Sequence, residues 1–302
     1  MEKKSFVSFD GKKICYRVWA AENPKGLMQI AHGMAEGLSR YEKFAEYMVS
    51  KGFTVFGDDH RGHGDTDPDR KAYVPGDMFN DTLKDMSLLS DIMKKENPDL
   101  KIVLFGHSYG SFLTQSYMQK YGDKADAFIV GGSAYMKNFA TKAANIIAKI
   151  SCAFGRKEKA GKLLDKASFD AYNKKYKDGT TFISSIKEEC DKYYACEECG
   201  FTVSNGFYKS FFSALPKLYS KKNYIKTDVK KPVLLISGKE DPVGGYGKSV
   251  DKLYEFYLNK VGIESVEKVL YEGVRHEYLN DVSAAAAKEE IADFALTAVS
   301  EQ

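Results

Sequence analysis

Residues 102–121 read Ile102-Val103-Leu104-Phe105-Gly106-His107-Ser108-Tyr109-Gly110-Ser111-Phe112-Leu113-Thr114-Gln115-Ser116-Tyr117-Met118-Gln119-Lys120-Tyr121. A short apolar run of strand type leads in, and a helix-compatible stretch leads out. Between them stands Gly-x-Ser-x-Gly. A serine carried on so sharp a strand-to-helix turn needs small residues two before and two after it. In return its Oγ is presented at the carboxyl edge of a sheet, over the positive end of the following helix. In this context the motif predicts that Ser108 is a nucleophile.

A serine nucleophile needs a base, and the chain has five histidines: His32, His60, His63, His107 and His276. On such an elbow the acid and then the base follow the serine in the chain. Only His276 lies downstream. It falls in a loop just after the alternating segment Val266 to Tyr271, at a strand's carboxyl end. The acid should also leave a strand at that edge. Pro232 to Ser237 reads as a buried strand, so Asp241 in the following Gly238-Lys239-Glu240-Asp241-Pro242 is the expected partner. Glu240 is the neighbouring fallback, Asp228 precedes the strand, and Asp251 falls on the next helix. The acid's task is to hold the histidine tautomer and stabilise the imidazolium. Leu27 to Ala31 is another short apolar run, followed by His32-Gly33-Met34. That turn would offer the Met34 N–H to an oxyanion, and Tyr109 after the nucleophile would offer the second.

These segments resemble the α/β-hydrolases of the monoacylglycerol lipase and lysophospholipase type, the serine aminopeptidase S33-like family. The resemblance rests on His32-Gly33-Met34-Ala35-Glu36, Asp59-His60-Arg61-Gly62-His63-Gly64, Gly106-His107-Ser108-Tyr109-Gly110, Asp241-Pro242-Val243-Gly244 and Arg275-His276-Glu277, and it covers nearly the whole chain. Phe169 to Tyr176 and Cys199-Gly200-Phe201 are similar to the cap of bacterial members. One departure is plain: where the family commonly has Met and then Gly-Gly after the serine, Tyr109, Gly110 and Ser111 stand here. The resemblance implies a serine ester hydrolase that needs no cofactor and acts on a small-molecule ester, such as an acyl-chain lipid. It also implies that Asp59, Arg61 and His63 serve a structural loop.

The rest of the chain agrees. Strand-like runs at Ser5–Phe9, Ile14–Trp19, Leu27–Ala31, Phe53–Phe56, Ile102–Phe105, Ala127–Val130, Val233–Ile236 and Val266–Tyr271 alternate with segments of helical period at 41–51, 79–96, 108–121, 248–261 and 283–299. That is the pattern of an α/β protein with a mostly parallel central sheet and helices on both faces. The rhythm breaks between about Ala134 and Thr227. The expected division is therefore a core of residues 1–133 and 228–302 and an inserted helical cap, 134–227. Aromatics crowd the cap, among them Phe169, Tyr172, Tyr176, Phe182, Tyr193 and Phe212, and Phe201, Phe207 and Phe211 are the expected contributors to an acyl pocket over Ser108.

The chain has 302 residues, 43% hydrophobic and 29% charged, ordinary values for a globular protein. No apolar run reaches the ~18 residues of a membrane span, and the start lacks the apolar core of a signal peptide. With five cysteines, an odd number, these features lead us to expect reduced thiols in a cytoplasm. A net charge of +3 is too small to argue for nucleic acid, and it leaves transient contact with anionic membrane surfaces open. Cys196-x-x-Cys199 is half of a zinc site, with no second pair to complete it, so no metal is expected. Two alternatives stay open. One is an aminopeptidase or acyltransferase on the same scaffold, where Glu197 or Glu198 would receive a substrate amine. The other is a non-catalytic small-molecule receptor.

Overall fold

A computed structural model describes residues 1–69, 72–73 and 75–300. Eight strands form one sheet: β1 (Glu2–Val7), β2 (Lys13–Trp19), β3 (Gly26–Ala31), β4 (Phe53–Asp58), β5 (Ile102–His107), β6 (Ala127–Gly131), β7 (Val233–Gly238) and β8 (Val266–Tyr271). Their order across the sheet is β1-β2-β4-β3-β5-β6-β7-β8. β2 runs antiparallel to both its neighbours, and every other adjacent pair is parallel. This is the α/β-hydrolase architecture. The order reverses beside β3 and β5, and a crevice at such a switch point is where an open parallel sheet receives ligands.

The central strands are buried on both faces, and the period of two decides which face each side chain enters. Leu104 of β5, Phe128 and Val130 of β6 and Leu235 of β7 join one core with α2 (Met78–Glu96), α3 (Tyr109–Lys120) and a later helix at Lys248–Phe256. Val103 and Phe105, Ala127 and Ile129, Leu234 and Ile236 join the other, with α1 (Glu42–Ser50) and the C-terminal helix Ala284–Ser300.

Between β6 and β7 the chain adds α4 (Phe139–Ala153), α5 (Lys187–Ala195) and α6 (Asn205–Leu218), with short helical turns between them. The only strand-type pairing there, among the described residues, is one bridge between Ala160 and Ser204. Asn138 caps α4 by accepting from Thr141 N–H at 2.9 Å, and Ser204 caps α6 by accepting from Phe207 N–H at 3.1 Å. Such caps satisfy N–H groups that the first turn leaves unpaired. The helix that follows β7, α7 (Lys248–Phe256), widens after Phe256 into a π turn over Tyr257–Val261, which Gly262 ends at φ +84°. The helix C-terminal to β8 is α8 (Ala284–Ser300).

Several strand boundaries differ from the sequence expectation for physical reasons. β1 begins at Glu2, since its ladder with β2 runs from Glu2↔Val18 to Val7↔Lys13. An edge strand this exposed carries Glu and Lys without penalty, so hydrophobicity does not mark it. The strands β4, β5 and β7 run one or two residues further than their apolar runs, to Asp58, His107 and Gly238.

Candidate active site

Ser108 sits between β5 and α3 with φ 52° and ψ −118°. A non-glycine residue is rarely held there, and such strain costs on the order of 1–3 kcal/mol. The glycines on either side show why the turn closes. A Cβ on Gly106 would lie 2.4 Å from Gly110 O and 2.2 Å from Thr114 Oγ1, and one on Gly110 would lie 1.9 Å from Ala31 O. The elbow is thus pressed against itself and against the end of β3. The Ser108 N–H is held by Gly131 O of β6 at 3.0 Å.

The loops after β7 and β8 meet the elbow from one side. His276 Nε2 is 2.9 Å from Ser108 Oγ, and His276 Nδ1 is 2.9 Å from Asp241 Oδ2. Asp241 is fully buried. Its other oxygen, Oδ1, accepts the Val243 N–H at 2.8 Å, and the Ser237 hydroxyl approaches Oδ2 at 3.4 Å. With Nδ1–H donated to the carboxylate, Nε2 is left as the acceptor for the serine proton. Burial alone would lower the His276 pKa. The Asp241 charge and hydrogen bond, with Glu277 and Glu36 further off, more than offset it, and the pKa lies above the ordinary histidine value. His107, whose ring lies 4.8 Å from that of His276, is pushed the other way by burial, by His276 and by Arg40. It stays neutral while its neighbour titrates.

Opposite the histidine, the turn after β3 lies against the serine. A Cβ on Gly33 would lie 3.3 Å from Ser108 Cβ. The turn is pinned from several directions. Gly33 N–H donates to Glu36 Oε1, which also accepts from the Tyr41 hydroxyl at 2.6 Å. Ala35 N–H donates to His63 Nε2 at 3.1 Å, and His60 N–H donates to His32 Nε2 at 2.9 Å. Asp59 accepts from Leu38 N–H and Asp65 N–H, at 3.1 and 3.0 Å. Arg61 reaches Asp85 of α2 and Asp10 of the β1–β2 turn, each at 2.5 Å. These residues are structural and hold the Met34 turn in place. Burial and the nearby Glu277 raise the Glu36 pKa to about 7, against the Tyr41 and Gly33 hydrogen bonds and Arg40. Glu277 itself pairs with Arg40.

The space over Ser108 is about 20 Å³, room for on the order of one water molecule. Gly33, Met34 and the polar groups Glu36, Tyr193 and Glu277 border it, and Phe169, Phe182 and Ile183 close it from the inserted segment. The three phenylalanines expected over the pocket lie elsewhere. Phe207 and Phe211 are buried on the inner face of α6, where they pack on the Tyr109 ring at 4.8 and 5.4 Å, and Phe201 packs on His63 at 5.4 Å. They belong to the core cluster that also holds Phe79 and Phe112. Helical spacing put the α6 pair on one apolar face, and that face covers Tyr109 rather than Ser108. Tyr109 itself turns its ring into this core.

A strap that no sequence pattern announces completes the site. Residues 178–186 are tied to the loop that carries the histidine. His276 N–H donates to Phe182 O at 3.1 Å and Glu277 N–H to Ile183 O at 2.8 Å. The Arg275 guanidinium donates to Thr181 O at 2.8 Å and Ser184 O at 3.0 Å, reaches Asp178 at 3.3 Å and lies 3.9 Å over the Tyr176 ring. No periodicity marks a segment held by backbone bonds, and of its residues the sequence singles out only Phe182, as one aromatic among many. Glu198, one of the carboxylates considered for a substrate amine, accepts from the Ser39 hydroxyl at 2.6 Å and from Arg17 at 3.4 Å.

The sheet order and the elbow define an α/β-hydrolase. Within that class, the serine aminopeptidase S33 family matches residues 22–283, and the chain belongs to it. Among curated proteins, the chain is similar to the monoacylglycerol lipase of Mycolicibacterium smegmatis, 31% identical over 131 residues, 43% of this chain and 46% of that protein. It is also similar to the monoglyceride lipase of Homo sapiens, 33% identical over 105 residues, 34% of each chain. These alignments span less than half the length of the relatives. Among solved structures, a thermostable carboxyl esterase from Bacillus coagulans shares the fold, with a TM-score of 0.89 at 24% identity over 99% of this chain and 98% of that one.

Proposed function

We propose that the protein is a serine ester hydrolase that cleaves a single-acyl lipid ester with a small polar head, of the monoacylglycerol or lysophospholipid kind. The observation that carries this reading is the relay of two 2.9 Å contacts from Asp241 through His276 to a strained Ser108. A receptor without turnover has no need of a matched acid, base and nucleophile.

In this mechanism Ser108 Oγ attacks the ester carbonyl as His276 Nε2 takes its proton. Asp241 holds the tautomer and stabilises the imidazolium. The Met34 and Tyr109 N–H groups receive the oxyanion, the second of them at the positive end of α3. His276 then protonates the leaving alcohol. Water, deprotonated by the same nitrogen, releases the acid from the acyl-enzyme.

Residues 134–227 act as a cap in this proposal. The space of about 20 Å³ is too small for an acyl chain, so the cap shifts to admit substrate. Because 178–186 is bonded to the histidine loop, the shift belongs to the far edge, around α4. Glu36, Tyr193 and Glu277 offer hydrogen bonds to a polar head, while Met34, Phe169, Phe182 and Ile183 offer apolar surface to a chain.

The outer face of α4 supports contact with a lipid surface. Phe139, Ile146, Ile150 and Phe154 are all more than half exposed, and Leu163 just beyond them is too. An apolar stripe of this kind marks an interaction site. The contact we propose is peripheral, through this exposed face; among the described residues no helix is long and apolar enough to cross a membrane.

An aminopeptidase is the second reading, favoured by the family match. It needs a carboxylate for the substrate amine, and Glu198 is already engaged by Ser39 and Arg17. One panel tests both: monoacylglycerols, lysophospholipids and nitrophenyl esters of graded length beside aminoacyl amides. Monoacylglycerol or lysophospholipid turnover is expected to lead. Amide turnover exceeding that of every ester would overturn the proposal.

A further inference from the structure

Cys196 and Cys199 are unused by the proposed chemistry, and their sulfurs lie 3.0 Å apart. The geometry comes from a tight turn. Cys196 ends α5, and Cys199 N–H donates back to Cys196 O at 3.0 Å. Among the five cysteines this is the one sulfur pair in contact. Cys190 spends its sulfur on Ser184 O at 3.2 Å and on the Thr181 hydroxyl at 3.3 Å. No third ligand joins the pair, since no group of three His, Cys, Asp or Glu side chains able to hold a metal occurs among the described residues.

We propose that Cys196 and Cys199 form a redox-active dithiol that closes to an intrachain disulfide by exchange with a low-molecular-weight disulfide, and that closure is felt at the Met34–Ala35 turn. The two sulfurs need about 1 Å of approach to reach the ~2.05 Å bond length. Their exposures assign the roles. Cys196 is half-buried and open to attack from solvent, while Cys199 is buried. Burial, then the Cys196 hydrogen bond and the Glu36 charge, push the Cys199 thiol up, so it does not start the exchange. The Cys196 thiolate attacks one sulfur of the small disulfide and expels one thiolate, leaving a mixed disulfide. Cys199, losing its proton to solvent, then attacks the Cys196 sulfur and expels the second. The protein loses two protons and two electrons, and the small disulfide becomes two thiols.

The tie to the active site is direct. Gly200, next to Cys199, donates its N–H to Ala35 O at 2.9 Å, and the Tyr193 hydroxyl of α5 donates to the same oxygen at 3.2 Å. Ala35 follows Met34 and is itself held at φ 56°. Glu198, between the cysteines, binds Ser39 beyond that turn. Drawing Cys196 toward Cys199 therefore pulls on the segment proposed to supply an oxyanion donor.

The test uses the full chain incubated with oxidised glutathione, quenched in acid, alkylated with iodoacetamide and read by peptide mass. The peptide holding both cysteines should escape alkylation and be lighter by about 2 Da, reversibly with dithiothreitol. Cys15 and Cys152 should remain alkylated. Cys199→Ser should trap glutathione on Cys196, and Cys196→Ser should take none at Cys199. Alkylation of both thiols in the oxidised sample, or a glutathione adduct that persists in the wild type, would overturn the pair. The second part rests on the proposed esterase activity. Oxidised and reduced wild type should differ about tenfold in nitrophenyl ester turnover, since displacements near 1 Å at reacting groups cost up to ~10²-fold. Cys196→Ser should show no such difference. Equal rates in a sample shown by mass to be fully oxidised would overturn the link to the turn while leaving the disulfide standing. A reduced enzyme with no turnover of any ester would instead count against the esterase reading, and the mass result would be unaffected.

Discussion

Replacing Asp241 by Asn removes one charge and almost no volume, and the surroundings decide how the new amide must sit. In the native site Oδ1 accepts the Val243 N–H at 2.8 Å and Oδ2 faces His276 Nδ1 at 2.9 Å. The amide oxygen of Asn has to take the Val243 side, because an NH₂ there would oppose another donor with both buried. The NH₂ then faces Nδ1 and makes it an acceptor. The imidazole proton moves to Nε2, which can no longer accept from Ser108 Oγ. A tautomer error of this kind lowers kcat about 10⁴-fold, equivalent to about 5 kcal/mol of barrier. A second effect follows from the charge. Asp241 is the leading contribution raising the His276 pKa against burial, so in the wild type the neutral, active histidine accumulates only above its ordinary pKa of about 6.5. Activity should rise with pH through a midpoint above that value, and in Asp241→Asn the residual activity should have its midpoint shifted down. The assay is nitrophenyl butyrate hydrolysis from pH 5 to 9 at saturating substrate, with circular dichroism to establish that the fold is kept. Less than a tenfold loss of kcat, or an unmoved midpoint, would refute the reasoning and pass the acid's role to Glu240 or another group.

Three further outcomes are expected. A fluorophosphonate probe should label Ser108, with labelling absent in Ser108→Ala and lowered by orders of magnitude in His276→Ala; an undiminished Ser108→Ala signal would point to a different nucleophile. Arg61→Met should lower unfolding stability by about 3–5 kcal/mol in urea titration, because it strands the buried Asp85 carboxylate that Arg61 meets at 2.5 Å and leaves it only the Ser8 hydroxyl that also donates to it; a loss under 1 kcal/mol would mean that Ser8 and water suffice for Asp85. Among nitrophenyl esters, kcat/KM should climb as methylenes are added, each worth up to ~0.8 kcal/mol when buried, and then drop at the length the cap can enclose; flat activity from acetate to palmitate would point to an open groove.

The sheet was legible because its central strands are apolar on both faces and alternate with segments of helical period, so neither Val233–Gly238 nor Ile102–His107 could be read otherwise. The proposed nucleophile, base and acid were legible for a related reason. An elbow fixes where the serine stands, and chain order at a sheet's carboxyl edge leaves one histidine and few acids to meet it. His276 is the one histidine downstream, and Asp241 is the acid that follows a strand. The segment inserted between β6 and β7 was different. Its aromatics have two ways to be buried, against one another or against the core, and sequence cannot tell them apart. Phe207 and Phe211 point inward on α6 as their spacing suggests, but what lies beneath is Tyr109, Phe79 and Phe112.

Two of the residues that reach the serine, Phe182 and Ile183, come from a segment with no period at all, and the bonds that hold it explain both its invisibility and its use. The strap 178–186 is held by its carbonyls, two of them accepting from His276 and Glu277 and two more from Arg275. Backbone oxygens are present in every residue, and the side-chain ties of Ser184 to Asn280 O, Ser185 to Asp281 and Asp178 to Arg275 use polar residues that sequence alone reads as loop surface. Functionally the attachment is a constraint. The wall formed by Phe182 and Ile183 is fixed by the same bonds that position the proposed base, so it cannot withdraw without disturbing His276. Under the proposed opening, access is gained elsewhere, at the edge where α4 carries its exposed apolar stripe. In this reading a lipid surface that receives Phe139, Ile146, Ile150 and Phe154 would draw the free edge outward while the edge beside the histidine stays in place.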